Sequence, residues 1–90
     1  MKISMKAVLK LNVEDWSKFE TSFASRKSAR EAAGIDALAY RGADDPNVVV
    51  VFGTVASKES FFEFMGSAEQ QQAMKNATIQ GPPDITFLEG

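Results

Sequence analysis

From Lys2 to Leu11 the chain alternates between apolar and polar positions. Ile3, Met5, Ala7, Leu9 and Leu11 fall on one side, and Lys2, Ser4, Lys6 and Lys10 fall on the other. Period two with one strongly apolar side predicts a strand. Asn12 is the expected cap of the helix that follows, with Glu14 and Asp15 in its first turn, where carboxylates favour the positive end of the helix dipole. Trp16, Phe19 and Phe23 continue at helical spacing, and Ala24, Ala29, Ala32 and Ala33 keep helix propensity high. Lys27 and Arg30 lie toward the end of this helix, and Gly34 supplies its stop.

A second strand is expected over about Ile35 to Ala43, followed by an Asp44-Asp45-Pro46-Asn47 turn in which Pro sets φ and Asp and Asn tolerate turn geometry. Val48 to Val55 then reads as a third strand. Its run of apolar residues predicts burial on both faces, and its closeness to the second strand predicts a hairpin. Ser57 is placed to cap a helix over Glu59 to Met65. Gly66-Ser67 breaks that helix, and Ser67 with Gln70 resembles a capping box for a further piece ending near Asn76. Gly81-Pro82-Pro83 ends any helix, and Asp84 to Glu89 forms a short final strand. Phe61, Phe62, Phe64 and Met65 fall within one and a half turns, too close for all to face one core.

The order strand, helix, strand, strand, helix, strand defines the class as α+β. It is the ferredoxin-like βαββαβ arrangement, a four-stranded antiparallel sheet with both helices on one face. One domain spans residues 1–90, since two independent cores do not fit in so short a chain. A domain this small buries only roughly 60–65% of its unfolded surface. The face that the helices leave must be polar or covered, and here the third strand offers apolar residues to both. That pattern implies a two-fold homodimer packed sheet against sheet, with Val8, Leu38, Tyr40, Val49 and Val51 assigned to the interface. The alternative is a lid of loops or aromatic residues over the second face.

Composition narrows the chemistry. With no histidine and no cysteine among 90 residues, Ser-His and Cys-His catalysis, thiolate chemistry and the usual zinc sites are excluded. Ten Lys and Arg against twelve Asp and Glu give a net charge of −2, which argues against nucleic acid as a partner. The alternating first residues predict neither a leader nor a membrane span. Without cysteines there is no disulfide framework, and a cytoplasmic location is the default expectation.

Residues quoted along the chain resemble a known group. Trp16 and Phe19, then Arg26, Gly34, Tyr40-Arg41, Asp44-Asp45-Pro46-Asn47 and the ending Gly81-Pro82-Pro83 with Thr86-Phe87-Leu88-Glu89 occur in its order. The group is the small dimeric α+β-barrel proteins related to antibiotic biosynthesis monooxygenases, many of them called only uncharacterised or cyclase-like. The resemblance spans nearly the whole chain and implies a dimeric barrel. Similar proteins include cofactor-independent oxygenases acting on aromatic polyketides, haem-degrading enzymes, muconolactone-isomerase-like enzymes and stress-related proteins without known activity. The present chain lacks the histidine that ligates haem in some haem degraders and has a single Trp. Thr78 stands where similar proteins frequently carry glycine.

Two classes of function follow. In the first, a homodimer binds a small apolar or aromatic molecule and acts, if it is an enzyme, as an oxygenase-like or cyclase-like catalyst with no metal, haem or other cofactor. In the second, the chain is a non-catalytic dimerisation or stress-related module. Ligand-site candidates are Trp16, Phe19, Phe23, Arg26 and Arg41, and no catalytic residue is assigned. The three aromatic residues fit either core packing or the lining of a pocket for a flat substrate. Arg41 shares a strand face with Ile35, Ala37 and Ala39, small residues that leave room for a ligand. It can hold an anionic or enolate oxygen there, or pair with Asp44, Asp45 or a partner-chain carboxylate. Arg26 fits a ligand contact or a solvated helix surface. Asp44 and Asp45 read as turn formers rather than metal ligands.

Overall fold

The structure is a computed structural model that describes residues 5–89. The expected start of the first strand at Lys2, Ile3 and Ser4 lies outside the described residues. The elements run β1 (Met5–Val13), α1 (Trp16–Ser25), α2 (Lys27–Ala32), β2 (Ile35–Arg41), β3 (Val48–Val55), α3 (Lys58–Gly66), α4 (Ala68–Asn76) and β4 (Ile79–Leu88). The strands form one antiparallel sheet in the order β2-β3-β1-β4. This is the expected ferredoxin-like topology, with each of its two helical positions split into a pair of short helices.

β1 runs two residues past its expected end. It lies between β3 and β4, and both ladders continue: Asn12 pairs with Val48 and with Gln80, and Val13 pairs with Ile79. Asn12 is therefore a strand residue, and Asp15 caps α1, its carboxylate accepting from Lys18 N at 3.2 Å. The expected single helix to Gly34 is broken at Arg26, whose φ of −100° and ψ of 8° leave the helical region. Next to the break, Ser25 donates its hydroxyl to Ser22 O at 2.7 Å; such local bonds compete with the helix ladder. Gly34, at φ 77°, ends α2 in the left-handed conformation its lack of Cβ permits.

Ser57 and Ser67 cap α3 and α4 as expected, accepting from Ser60 N and Gln70 N. β4 is longer than the sequence pattern indicates, because Gly81-Pro82-Pro83 is absorbed as a bulge rather than ending the strand's pairing. Lys10 pairs with Asp84 and Asn12 with Gln80, so three residues of β4 oppose one of β1. Gly81 takes φ 74° to make that bend.

The register sorts every strand residue onto one of two faces. Leu9, Leu11 and Val13, together with Ile35, Val49, Val51 and Val55, lie on the helix-covered face and form the core with Phe19, Phe61 and Phe64. The opposite face carries cross-strand rows, the middle one being Leu38, Phe52, Val8 and Thr86 and the next Tyr40, Val50, Lys10 and Asp84. Leu38 is 63%, Tyr40 55% and Phe52 40% exposed.

Two expectations change here. β3 is not buried on both faces of this chain: Val49 and Val51 are buried, whereas Val48 and Val50 are half-buried and Phe52 is exposed. Val49 and Val51 therefore lie beneath the helices, which corrects their assignment to the open face; Val48, Val50 and Phe52 occupy it instead. Val8, Leu38 and Tyr40 do lie on the open face. Of the crowded α3 aromatics, Phe61 and Phe64 enter the core and Phe62 is turned outward. Phe61 and Phe62 both meet Phe87 edge-on, at 5.5 and 5.7 Å between centroids. No helix among the described residues is long and apolar enough to cross a membrane.

Candidate functional site

A cross-strand row of small residues prepares a hollow in the covered face. Ala37 pairs with Gly53, which pairs with Ala7, so three adjacent strands present nothing larger than a methyl group. Side chains descending from the helices meet a low floor there. Above it lies a cavity of about 70 Å³, walled on the helix side by Phe19, Phe23 and Phe64. Met65 and Met74 add flexible walls.

The polar groups of the wall are few: Ser22, Arg26, Arg30 and Gln70. Ser22 is buried and committed, donating to Ala73 O at 2.7 Å and tying α1 to α4. Arg26, at the helix break, donates from Nε to Gln70 Oε1 at 3.0 Å, and its guanidinium carbon lies 5.4 Å from the Phe64 ring centroid. Gln70 thus turns its side-chain oxygen to Arg26 as its backbone N–H is taken by Ser67.

Arg30 is the unusual member, a charged residue only 8% exposed. One guanidinium nitrogen donates to Phe23 O at 2.6 Å, a carbonyl near the end of α1, and the group lies 3.6 Å from the Phe23 ring centroid. Burial pushes its pKa down from the ordinary arginine value; Glu31 next to it works against that shift, and the positive charge of Arg26 adds to it. An arginine remains charged at neutral pH even so.

The members of the aromatic stripe differ in where they lie. Trp16, Phe19 and Phe23 stack in sequence, with centroids 5.7 and 5.5 Å apart. Phe19 and Phe23 line the cavity, whereas Trp16 packs against the core outside it. Arg41 also stays outside. It is exposed, donates from Nε to Pro46 O at 3.1 Å, and lies 5.6 Å from the Trp16 ring centroid. The structure thus brings Phe19, Phe23 and Arg26 together and leaves Trp16 and Arg41 at the margin. In place of an Arg41 ion pair with Asp44 or Asp45, it shows a carbonyl contact and a ring contact.

Arg30 was not singled out from sequence, yet a signal existed: positions 19, 23, 26 and 30 recur at helical spacing on one face. Asp45 acts as a turn former, its carboxylate accepting from Asn47 N at 3.0 Å. No group of three or more His, Cys, Asp or Glu among the described residues is placed to hold a metal ion.

Chemically the wall can stabilise negative charge but does little else. Among the described residues its ionisable side chains are the two arginines, with no carboxylate, lysine or tyrosine to take a proton. An anionic or enolate oxygen is the species such donors favour.

The chain matches no family model and no curated protein. It is similar to several solved structures over nearly its whole length. One, from Bordetella bronchiseptica, is described provisionally as an antibiotic biosynthesis monooxygenase; it is 16% identical with a TM-score of 0.82, covering 98% of this chain and 97% of that one. A Caulobacter crescentus protein with the same provisional description is 21% identical with a TM-score of 0.78, covering 99% and 91%. SnoaB, a cofactor-independent oxygenase from Streptomyces nogalater, is 16% identical with a TM-score of 0.74, covering 98% and 93%. The fold is that of the antibiotic biosynthesis monooxygenase-like α+β-barrel proteins.

Proposed function

With that fold as the premise, we propose that the chain is a cytoplasmic homodimer that binds a small, largely apolar or aromatic molecule between its helices and its sheet, and acts on it in the manner of a cofactor-independent oxygenase. The observation that carries this reading is the cavity itself: an apolar hollow over the Ala37-Gly53-Ala7 floor, with two arginines in its wall. Ligand pockets are typically apolar with a few placed polar groups. The fold shared with SnoaB supports the oxygenase class, although fold alone does not select a chemistry.

The wall also limits the mechanism. With no proton acceptor in it among the described residues, the substrate enters as its enolate or phenolate, or gives its proton to water. The arginines then hold the charged oxygen. The ionised form is also the electron-rich form of such a compound, the one that reacts with dioxygen.

A volume of about 70 Å³ is well below the roughly 150 Å³ of an engineered cavity that takes benzene. A ring therefore enters only if Phe23, Met65 or Met74 moves aside. That small volume favours a second reading, a dimerisation module without a substrate.

A thermal-shift and NMR screen of single-ring phenols, aromatic acids and polyketide-like compounds separates the two, with oxygen uptake measured for every binder. Binding that perturbs Phe23 and Gly53, with oxygen uptake, supports the enzyme. Binding without uptake removes the oxygenase step and keeps the binding site. No binding by any compound overturns the first reading in favour of the module.

A further inference from the structure

We propose that the helix–sheet cavity takes a small apolar carboxylate, its acid group held by Arg30 with Arg26 beside it and its tail over the Ala37-Gly53-Ala7 floor. This deepens the binding reading above and rests on it.

The first ground is a charge without a carboxylate partner among the described residues. Arginine is almost never buried unless paired. Arg30 is 8% exposed, but its contacts are a backbone carbonyl and a phenyl ring. A guanidinium has five N–H donors in a planar fork, and only one of its nitrogens is engaged by that carbonyl. Among the described residues no carboxylate hydrogen-bonds to it; Glu31, its chain neighbour, is exposed.

The second ground is that the charge is doubled. Arg26 lies one turn earlier, its carbonyl accepting from Arg30 N at 2.9 Å, and it lines the same cavity. Its own partner is the neutral Gln70 amide. Two guanidinium groups beside one apolar hollow repel each other, and their mutual repulsion contributes to the fall in the Arg30 pKa. A monoanion between them relieves both the repulsion and the desolvation of Arg30. A carboxylate fits the planar fork with two parallel hydrogen bonds.

The third ground is the rest of the wall. Phe19, Phe23, Leu9 and Val51 offer nothing to a polyanion or to a hydrated inorganic ion, but they match a short aliphatic tail, or a single ring once Phe23, Met65 or Met74 moves aside. The volume of the hollow sets the upper size.

The test compares isovalerate with isovaleramide and benzoate with benzamide, titrated into the full-length protein. Binding is followed by the backbone amide shifts of Ala37 and Gly53 and by the Arg30 side-chain Nε–H signal. Each acid is expected to bind roughly tenfold or more tightly than its amide, and to move the Arg30 signal where the amide does not. Arg30→Gln removes that preference. If Arg30→Gln fails to fold, Arg30→Lys keeps the charge without the fork, and Arg26→Gln alters the half-buried neighbour; each is expected to lower acid affinity and leave amide affinity alone. Equal binding of acid and amide overturns the carboxylate proposal while the cavity stands as a binding site. If neither acid nor amide shifts any cavity signal at millimolar concentration, the proposal fails; if the phenols and polyketide-like compounds also fail, the binding reading fails with it.

Discussion

Thr78 and Asp15 are joined across 63 positions of chain: the Thr78 hydroxyl oxygen accepts from Asp15 N at 2.9 Å. Thr78 O also accepts from Glu14 N at 3.0 Å, so both residues leading into α1 are anchored to the start of β4. Thr78 does this at φ 60°, a left-handed conformation that glycine adopts freely and a β-branched residue does not. The hydroxyl compensates for the backbone strain. Thr78→Val keeps the strain and loses the acceptor, and should cost about 1–3 kcal/mol. Thr78→Gly loses the acceptor but relieves the strain, and should fall within about 1 kcal/mol of the parent. Denaturant unfolding orders the two; a glycine variant less stable than the valine variant would refute the trade.

Asp15 makes this end of the fold sensitive to acid. The Ser17 hydroxyl, donating at 2.8 Å, and the Lys18 N–H hold its carboxyl below the ordinary aspartate value of 3.8. A carboxyl with a lowered folded-state pKa contributes stability that is fully present above its unfolded pKa and lost as pH falls through the folded one. Asp15→Asn keeps an oxygen acceptor for the cap but has no charge to titrate. The stability gap between parent and variant should therefore be constant near neutral pH and close below pH 3.8. Thermal unfolding over that range checks it, and a gap that widens in acid has the wrong sign.

Gly53 is where the cavity floor and the sheet make the same demand. A Cβ there would press on Asp36 O and approach Ala37 Cα to 2.5 Å, both on the neighbouring strand. These are backbone atoms that cannot rotate away. Gly53→Ala should cost more than about 2 kcal/mol, as overpacking does. Gly66, whose added Cβ meets nothing within 4 Å, should accept alanine with little change. Equal stability of the two variants would contradict the geometry.

The proposed dimer is tested at Phe52. It lies between Leu38 and Val8 in the middle row of the open face and is 40% exposed. Phe52→Glu should leave the circular dichroism of the chain intact, yet weaken self-association about thirtyfold or more, the loss typical of a central interface residue. Sedimentation equilibrium measures it. A parent that is monomeric at micromolar concentration removes the dimer outright.

Periodicity made the element order legible, since β1 alternates and α1 carries Trp16, Phe19 and Phe23 at helical spacing. It could not set the parity of β3. Val48 to Val51 are chemically identical, so no alternation says which pair faces the helices; only pairing with Leu9 and Leu11 places Val51 and Val49 inward. The break at Arg26 was hidden for a related reason. Ser25 and Arg26 are tolerable helix residues, and what ends the helix is a set of local bonds around the Ser22 and Phe23 carbonyls. In the site, Phe19, Phe23 and the small Ala37 were legible by spacing and size. Arg30 shares that spacing, but its burial was not legible, because arginine usually lies at the surface and its burial depends on a helix turning back over the sheet.

Gly81-Pro82-Pro83 sits in β4, which has β1 on one side and, among the described residues, no strand on the other. Proline has no N–H, so neither Pro82 nor Pro83 can donate a hydrogen bond to a strand arriving along the free border. A chain with an exposed apolar sheet surface is at risk of stacking border to border into open-ended filaments. The two prolines blunt that route on one side. On the other, β2 is only seven residues long and carries Asp36 near one end and Arg41 at the other. In the proposed dimer, association runs through the broad surface instead, where a two-fold pairing would close on itself and stop growth at two copies.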